Sequence, residues 1–190
     1  MMRIITGTAK GKRLVTLEGE ATRPTSERIK EAIFSSIQFE TENRKVLDLF
    51  AGSGQMGLEA MSRGAASVTF IDSSREAMEI VKENARTTGF FDKCRYLVSD
   101  YGNYIRKASG RDTYDLVFID PPYAAECCAD AVGRLLRARL LIPGAIVVLE
   151  SGTEEPDMTD PRFSRFEVIK STRYGKKSLV NILFYKGDED

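Results

Sequence analysis

Four apolar runs in this sequence each lead into an aspartate, and the chemistry would begin at those aspartates. Val46-Leu47-Asp48-Leu49-Phe50 opens into Gly52-Ser53-Gly54-Gln55-Met56-Gly57, Phe70-Ile71 runs into Asp72, Leu97-Val98-Ser99 into Asp100, and Leu116-Val117-Phe118-Ile119 into Asp120-Pro121-Pro122-Tyr123. A G-x-G-x-x-G loop between a strand and a helix lets backbone approach a ligand, and the helix N-terminus favours negative charge there. By itself that spacing fits a nicotinamide or flavin nucleotide equally well. Asp48 is costly inside an apolar run unless it meets a cation or hydrogen-bond donors, so it either faces an α-amino group or accepts the amides of the glycine loop. Asp72, 18 residues beyond Gly54, can accept from both hydroxyls of a ribose, with Ser73 beside it. Asp100, with Ser99 before it, can accept from an adenine amino group. Each also precedes a predicted helix and would serve there as an N-cap.

A carboxylate near a cationic amino-acid moiety, one on a ribose and one on an adenine suit S-adenosylmethionine, which carries a sulfonium and no pyrophosphate, better than a dinucleotide. Phe50, Ala51, Gly52, Ser53 and Gly54 would meet that cofactor through their backbone. In Asp120-Pro121-Pro122-Tyr123 two prolines with fixed φ and no N–H make the backbone rigid behind a rim carboxylate. Such a segment can hold an exocyclic amine by its N–H groups while the Tyr123 ring stacks on the base. A delocalised amine is a poor nucleophile, and accepting its hydrogens favours the pyramidal geometry needed to attack a sulfonium methyl in line. The excess proton then leaves to Asp120 or water, so catalysis is mostly placement and charge stabilisation.

Those residues must be held at the ends of strands. Arg3 to Thr6 and Arg13 to Leu17 are short strands of a basic hairpin, and Ile29, Ala32, Ile33 and Ile37 recur at helical spacing through about residue 39. Strand 46–50 and helix 56–63 form a first unit. Strand 67–71 and helix 76–86, with Ala77, Ile80, Val81 and Ala85 inward, form the next. Strand 95–98 with helix 101–108, strand 114–119 with helix 125–139, and strand 145–149 continue the alternation. Four successive βα units predict an α/β fold with a mostly parallel sheet and helices on both faces. Segments 166–171 and 179–185, joined through Gly175, add an antiparallel C-terminal hairpin. In such a sheet ligands sit beyond the carboxyl ends of the strands, where all four aspartates fall.

At 190 residues, with 42% hydrophobic and 29% charged residues, the chain predicts one domain with a real core. Residues 1–44 would be a hairpin and helix that precede the sheet, and 45–187 the catalytic sheet. The longest apolar run, Leu140 to Leu149, is ten residues broken by Pro143 and Gly144, short of the roughly 20 a membrane span needs, and the first residues lack a signal-peptide core. A cytoplasmic protein without membrane contact is expected. There is no histidine, and Cys94, Cys127 and Cys128 are expected as reduced thiols, so no metal site is predicted and the chemistry must run on carboxylates, backbone or a cofactor. The net charge is zero but uneven: residues 1–30 are +4, 162–177 are +5, 178–190 are −2, which leaves −7 for 31–161. Two basic flanks around an acidic body suit contact with a phosphate backbone, through Arg3, Lys10, Lys12, Arg13 and Arg28 on one side and Arg173, Lys176 and Lys177 on the other.

Taken together, Asp48 to Gly54, Asp72, Asp100 and Asp120-Pro121-Pro122-Tyr123 resemble the ordered motifs of class I S-adenosylmethionine-dependent amino methyltransferases. With Arg3-Ile4-Ile5-Thr6-Gly7, Gly11-Lys12-Arg13-Leu14, Thr22-Arg23-Pro24-Thr25-Ser26-Glu27-Arg28 and Arg173-Tyr174-Gly175, nearly the whole chain is similar to the bacterial 16S ribosomal RNA guanine-N2 methyltransferases that modify guanine-966. The resemblance implies a Rossmann-like, seven-stranded sheet and methyl transfer to the exocyclic N2 of one guanine. It also implies a 16S rRNA substrate within a largely assembled small (30S) subunit, a monomer, and Arg23, Pro24 and Thr25 beside the cofactor. Gln55-Met56 and Lys176-Lys177 depart from the family's pattern. Two alternatives stand beside it. A DNA adenine-N6 methyltransferase shares the motifs but usually needs an added target-recognition region, for which about 45 N-terminal residues are too few. A nicotinamide-dependent oxidoreductase leaves Asp120-Pro121-Pro122-Tyr123 without a role.

Overall fold

The computed structural model describes residues 2–17, 27–122, 125–152, 156–176 and 178–187. In chain order the elements are α1 (Glu27–Ser36), β1 (Lys45–Asp48), α2 (Gln55–Ser62), β2 (Ser67–Asp72), α3 (Arg75–Thr88), β3 (Cys94–Val98), α4 (Tyr101–Ala108), β4 (Tyr114–Ile119), α5 (Ala125–Arg137), β5 (Leu141–Ser151), β6 (Phe166–Tyr174) and β7 (Ser178–Tyr185). The strands make a seven-stranded sheet of order β3-β2-β1-β4-β5-β7-β6. This is the α/β architecture expected from the alternating pattern, closed by the antiparallel hairpin. The chain divides into two compact units, Met1–Asp100 and Tyr101–Asp190.

In the first unit β1, β2 and β3 run parallel, with Asp48 opposite Phe70 and Asp72 opposite Val98. Their carboxyl ends therefore lie side by side. The strands read as apolar runs because parallel strands are covered on both faces, and Val46, Leu47, Val68, Phe70 and Ile71 are buried. Burying each such side chain contributes about 1.5–3 kcal/mol. Ser74 caps α3 by accepting the Ala77 N–H at 3.1 Å, and Gly89, at φ 85°, ends it. Ala77, Val81 and Ala85 face inward as the spacing predicts, while Ile80 is only half-buried. α1 stops at Ser36, short of residue 39, where Glu40 N–H turns back to the Ile37 carbonyl at 2.9 Å. β1 stops at Asp48, not at Phe50.

The N-terminal hairpin is shorter than its sequence suggests. One antiparallel bridge, Arg3 to Arg13, is flanked by the bonds Ile4 N–H to Lys12 O (2.9 Å) and Leu14 N–H to Met2 O (3.0 Å). Extended strands do not form because the arm turns back on itself, Gly11 N–H bonding the Ile4 carbonyl at 2.9 Å, and gives several other donors to helix side chains. Glu59 on α2 accepts from Ile5 N–H (2.8 Å) and Thr6 N–H (3.0 Å), and Ser62 Oγ accepts from Ala9 N–H (2.9 Å). Glu59 is fully buried, accepts from Arg63 Nε at 2.8 Å, and lies 3.6 Å from the equally buried Lys30 Nζ, which donates to the Arg3 carbonyl at 2.6 Å. The arm packs so tightly that a Cβ at Gly7, itself at φ 86°, would sit 1.8 Å from the Ser62 carbonyl oxygen.

In the second unit β4 and β5 run parallel, β7 pairs antiparallel with β5, and β6 antiparallel with β7. β5 begins at Leu141, earlier than the expected 145. It carries Pro143 and Gly144 because a register shift between Tyr114 and Leu116 absorbs the extra residues. Cys128, Ala131, Val132 and Leu135 form the buried stripe of α5 at helical spacing. The cysteines are free thiols: Cys128 is buried, and Cys94 and Cys127 are half-buried.

Candidate functional site

Two of the expected cofactor residues of the first unit, Gly52 and Ser99, bond to a third, Asp72. Its Oδ2 accepts the Gly52 N–H at 2.9 Å, its Oδ1 accepts the Ser74 N–H at 2.8 Å, and its own carbonyl accepts the Ser99 N–H at 2.9 Å. One residue thus ties the glycine loop after β1, the start of α3 and the end of β3. Ser74 is the cap of α3, so Asp72 is released from that alternative. Each carboxylate oxygen has further acceptor capacity beyond its single backbone donor. Asp72 and Ser99 are half-buried, and Ser73 and Asp100 are exposed.

The glycines have separate reasons to be glycine. Gly52 and Gly54 take left-handed conformations, φ 52° and 78°, which turn the loop from β1 into α2. Gly57 lies where α2 crosses β2, and a Cβ there would come within 2.4 Å of the Phe70 ring. Asp48, only 4% exposed, accepts the Gly57 N–H at 3.0 Å, so the amide role is the one observed. Burial pushes its carboxyl up to about 7, and the charge of Asp72 adds to the rise against the Gly57 bond.

That shift has a sign that can be tested. The unfolded Asp48 ionises near 3.8 and the folded one near 7, so the folded state binds more protons between those values and loses stability as pH rises through them. Asp48→Asn keeps a carbonyl for the Gly57 N–H and carries no charge. Relative to that variant, the ligand-free wild type is expected to become progressively less stable from pH 4 to pH 7, and parallel thermal denaturation curves at each pH check it. A constant difference between the two proteins would contradict the assignment.

In the second unit β4 is buried from Leu116 to Ile119 and delivers Asp120 at its carboxyl end, exposed, followed by buried Pro121 and exposed Pro122. Burial pushes the Cys128 thiol up to about 12, with the charges of Cys127 and Asp120 adding to the rise. The basic residues of the arm, Arg3, Lys10, Lys12 and Arg13, are all exposed, as are Arg28 on the first turn of α1, Arg173 on β6 and Lys176 after it. Arg3 and Arg13 oppose each other across the bridge, and Arg3 also pairs with Glu27 at 3.1 Å. Arg23, Pro24, Thr25, Tyr123 and Lys177 lie outside the described residues. Among the described residues no acidic, cysteine or histidine cluster could hold a metal, and no helix is long and apolar enough to cross a membrane.

Residues 2–184 match the family described as conserved hypothetical protein 95. The chain belongs to this family. It is 30% identical over 159 residues to Ribosomal RNA small subunit methyltransferase D of Haemophilus influenzae, covering 83% of this chain and 82% of that one. It is also 30% identical over 160 residues to the protein of the same name from Escherichia coli K12, covering 84% of this chain and 79% of the other. The solved structure of yhhF from Escherichia coli superposes with a TM-score of 0.87 at 27% identity, over 98% of this chain and 99% of that one.

For this member of the family, sequence reasoning missed the residues that fasten the arm. Glu59 is the one acidic residue in the otherwise uncharged Gln55–Ser62 octamer, and Asn84 continues the inward face of α3 set by Ala77 and Val81. A polar side chain on a core-facing position was the available signal in both cases.

Proposed function

We propose that the protein transfers the methyl group of S-adenosylmethionine to the exocyclic N2 of a guanine in 16S ribosomal RNA, guanine-966 of the small subunit. The observation that carries this reading is the convergence on Asp72 of the glycine loop and the ends of β2 and β3. It gives a half-buried carboxylate for the ribose hydroxyls, with Ser73, Ser99 and Asp100 around it for the adenosine end. Phe50 to Gly54 offer backbone, and a carboxyl group at Asp48 with a second at Asp72 suits a cationic amino-acid moiety and a ribose rather than a pyrophosphate. The names of the Haemophilus and Escherichia relatives support ribosomal RNA as the substrate class.

Chemistry then divides by residue. Asp120 accepts the N–H groups of the target amine and Pro121 and Pro122 hold it in place, while Tyr123 stacks on the guanine. The amine lone pair attacks the methyl carbon, the carbon–sulfur bond breaks to leave S-adenosylhomocysteine, and the extra amine proton passes to Asp120 or water. The exposed Lys10, Lys12 and Arg13, with Arg3, Arg28, Arg173, Lys176 and Lys177, grip phosphates without reading sequence. The particle recognised is an assembled small subunit, and the protein acts as a cytoplasmic monomer.

Asp72→Ala is expected to weaken S-adenosylhomocysteine binding about ten- to a hundredfold, the loss of a charged acceptor to hydroxyls. Unchanged calorimetric affinity would refute the ribose assignment. Replacing Lys10, Lys12 and Arg13 together with alanine should lower the salt slope of RNA binding by about 2 to 3, near 0.7 to 0.9 per phosphate contact. Mapping methylated positions in 16S rRNA from cells with and without the gene tests the reaction itself, and an unaltered guanine-966 would exclude it as the target.

A further inference from the structure

Asn84 lies in the interior of α3 with no exposed surface, although asparagine is a poor residue for a helix interior. Both donors and the acceptor oxygen of its carboxamide have partners. Oδ1 accepts the Val15 N–H at 2.8 Å, and Nδ2 donates both to the Val15 carbonyl and to the Ser53 carbonyl, each at 2.9 Å. The orientation is fixed by the partners: exchanging oxygen and nitrogen would set a donor against the Val15 N–H and an acceptor against two carbonyls. Val15 is the last stretch of the basic arm, two residues beyond Arg13. Ser53 stands between Gly52 and Gly54, the two left-handed glycines of the loop. A second contact follows the same route, since Ser53 Oγ lies 3.2 Å from Met2 Sδ at the other end of the arm.

We propose that Asn84 is a positioning residue that couples the RNA-gripping arm to the cofactor loop. The proposal rests on S-adenosylmethionine being the ligand of that loop. One amide group bears on both partners, so anything that fixes the Ser53 carbonyl also fixes Asn84 and with it Val15. Ser53 sits in a loop whose backbone takes positive φ on both sides, so its carbonyl direction is not set by a helix or a strand. Asn84 Nδ2 sets it. Cofactor binding therefore orders the arm, and by thermodynamic reciprocity an arm held on RNA raises cofactor affinity by the same factor. The fastening by Glu59 and Ser62 is separate, since these hold Ile5, Thr6 and Ala9 to α2 and make no bond to the glycine loop.

Amide hydrogen exchange on the full-length protein, with and without saturating S-adenosylhomocysteine, reads the coupling directly. The Val15 N–H of the wild type should slow about fivefold or more with ligand, within the usual range of coupling, while Ile5 and Thr6 change less. Asn84→Asp keeps the acceptor for Val15 N–H but replaces both donations with carboxylate–carbonyl repulsion. In that variant ligand-dependent protection of Val15 should vanish and the KM for S-adenosylmethionine should rise, with kcat at saturating cofactor and RNA nearly retained. A merely structural Asn84 would change the exchange rate of Val15 without changing its response to ligand. Wild-type Val15 exchange that ignores the ligand, or slows no more than Ile5 and Thr6, overturns the proposal, and this comparison decides even if Asn84→Asp does not fold. Equal ligand-dependent protection in wild type and variant also overturns it. Absence of any calorimetric heat of S-adenosylhomocysteine binding to wild type would instead remove the functional reading on which it rests.

Discussion

Replacing Asp120 with alanine is expected to reduce methyl transfer by about a hundred- to a thousandfold in kcat, the range for losing one positioned electrostatic group at a reacting centre. S-Adenosylhomocysteine affinity should stay within about twofold of wild type, a difference below about 0.4 kcal/mol. The separation follows from where the residues sit in the chain. The proposed cofactor contacts come from residues 23–25, 48, 50–54, 72, 73, 99 and 100, whereas Asp120 follows β4, whose Leu116, Val117, Phe118 and Ile119 are buried and hold its backbone fast. Pro121 is buried behind it with a fixed φ, so the carboxylate cannot be replaced by a neighbour swinging into its place. Asp120→Asn, which keeps one carbonyl acceptor without the charge, should fall between wild type and alanine. Single-turnover methylation of small subunits, paired with calorimetry of the same variants, checks both halves. A normal single-turnover rate for Asp120→Ala would sink the mechanism.

The sequence made the sheet and the rim of the candidate site legible for one physical reason. Parallel strands covered on both faces must be almost wholly apolar, so Val46-Leu47, Phe70-Ile71 and Leu116 to Ile119 announce themselves, and a carboxylate at the end of each stands out against them. The glycine spacing was readable as well, because Gly52, Gly54 and Gly57 answer to backbone turns and a close helix crossing that no other residue tolerates. Three things were not readable. The end of β1 fell at Asp48, because Leu49 is buried without strand pairing and Phe50, half-buried, lies beyond the strand as well. The arm looked like two strands because its residues have strand-like composition, yet the N–H groups of Ile5, Thr6, Ala9 and Val15 go to Glu59, Ser62 and Asn84, about 50 to 70 positions away. Nothing in the local pattern marks Lys30 for burial, and only its tertiary partners Glu59 and the Arg3 carbonyl explain it. Local pattern records which face is apolar. It does not record which buried polar group another part of the chain has come to satisfy.

That long-range fastening carries the second large expectation. Glu59→Leu should destabilise the protein by about 3–5 kcal/mol, the cost of breaking a buried pair by removing one partner. For a chain of this size that lowers the melting temperature by roughly 6–20 °C. The loss has three parts: the N–H groups of Ile5 and Thr6 and the Nε of Arg63 lose their acceptor, and Lys30 is left fully buried without the carboxylate that opposes its desolvation. Burial already lowers the Lys30 pKa from 10.5 while Glu59 raises it, so removing Glu59 lowers it further. The sign then follows. A lysine whose folded pKa lies below its unfolded value penalises folding while the unfolded chain binds the extra proton, and the penalty fades as pH rises toward 10.5. The Glu59→Leu deficit should accordingly shrink between neutral pH and pH 10. Adding Lys30→Met removes the stranded charge, so the double variant should recover part of the loss at pH 7 and show a weaker pH dependence of the remainder. Thermal denaturation of the two single variants and the double variant across that range reads all of this. A Glu59→Leu protein within about 1 kcal/mol of wild type at pH 7 would mean that solvent reaches Lys30 and that the arm is held without Glu59.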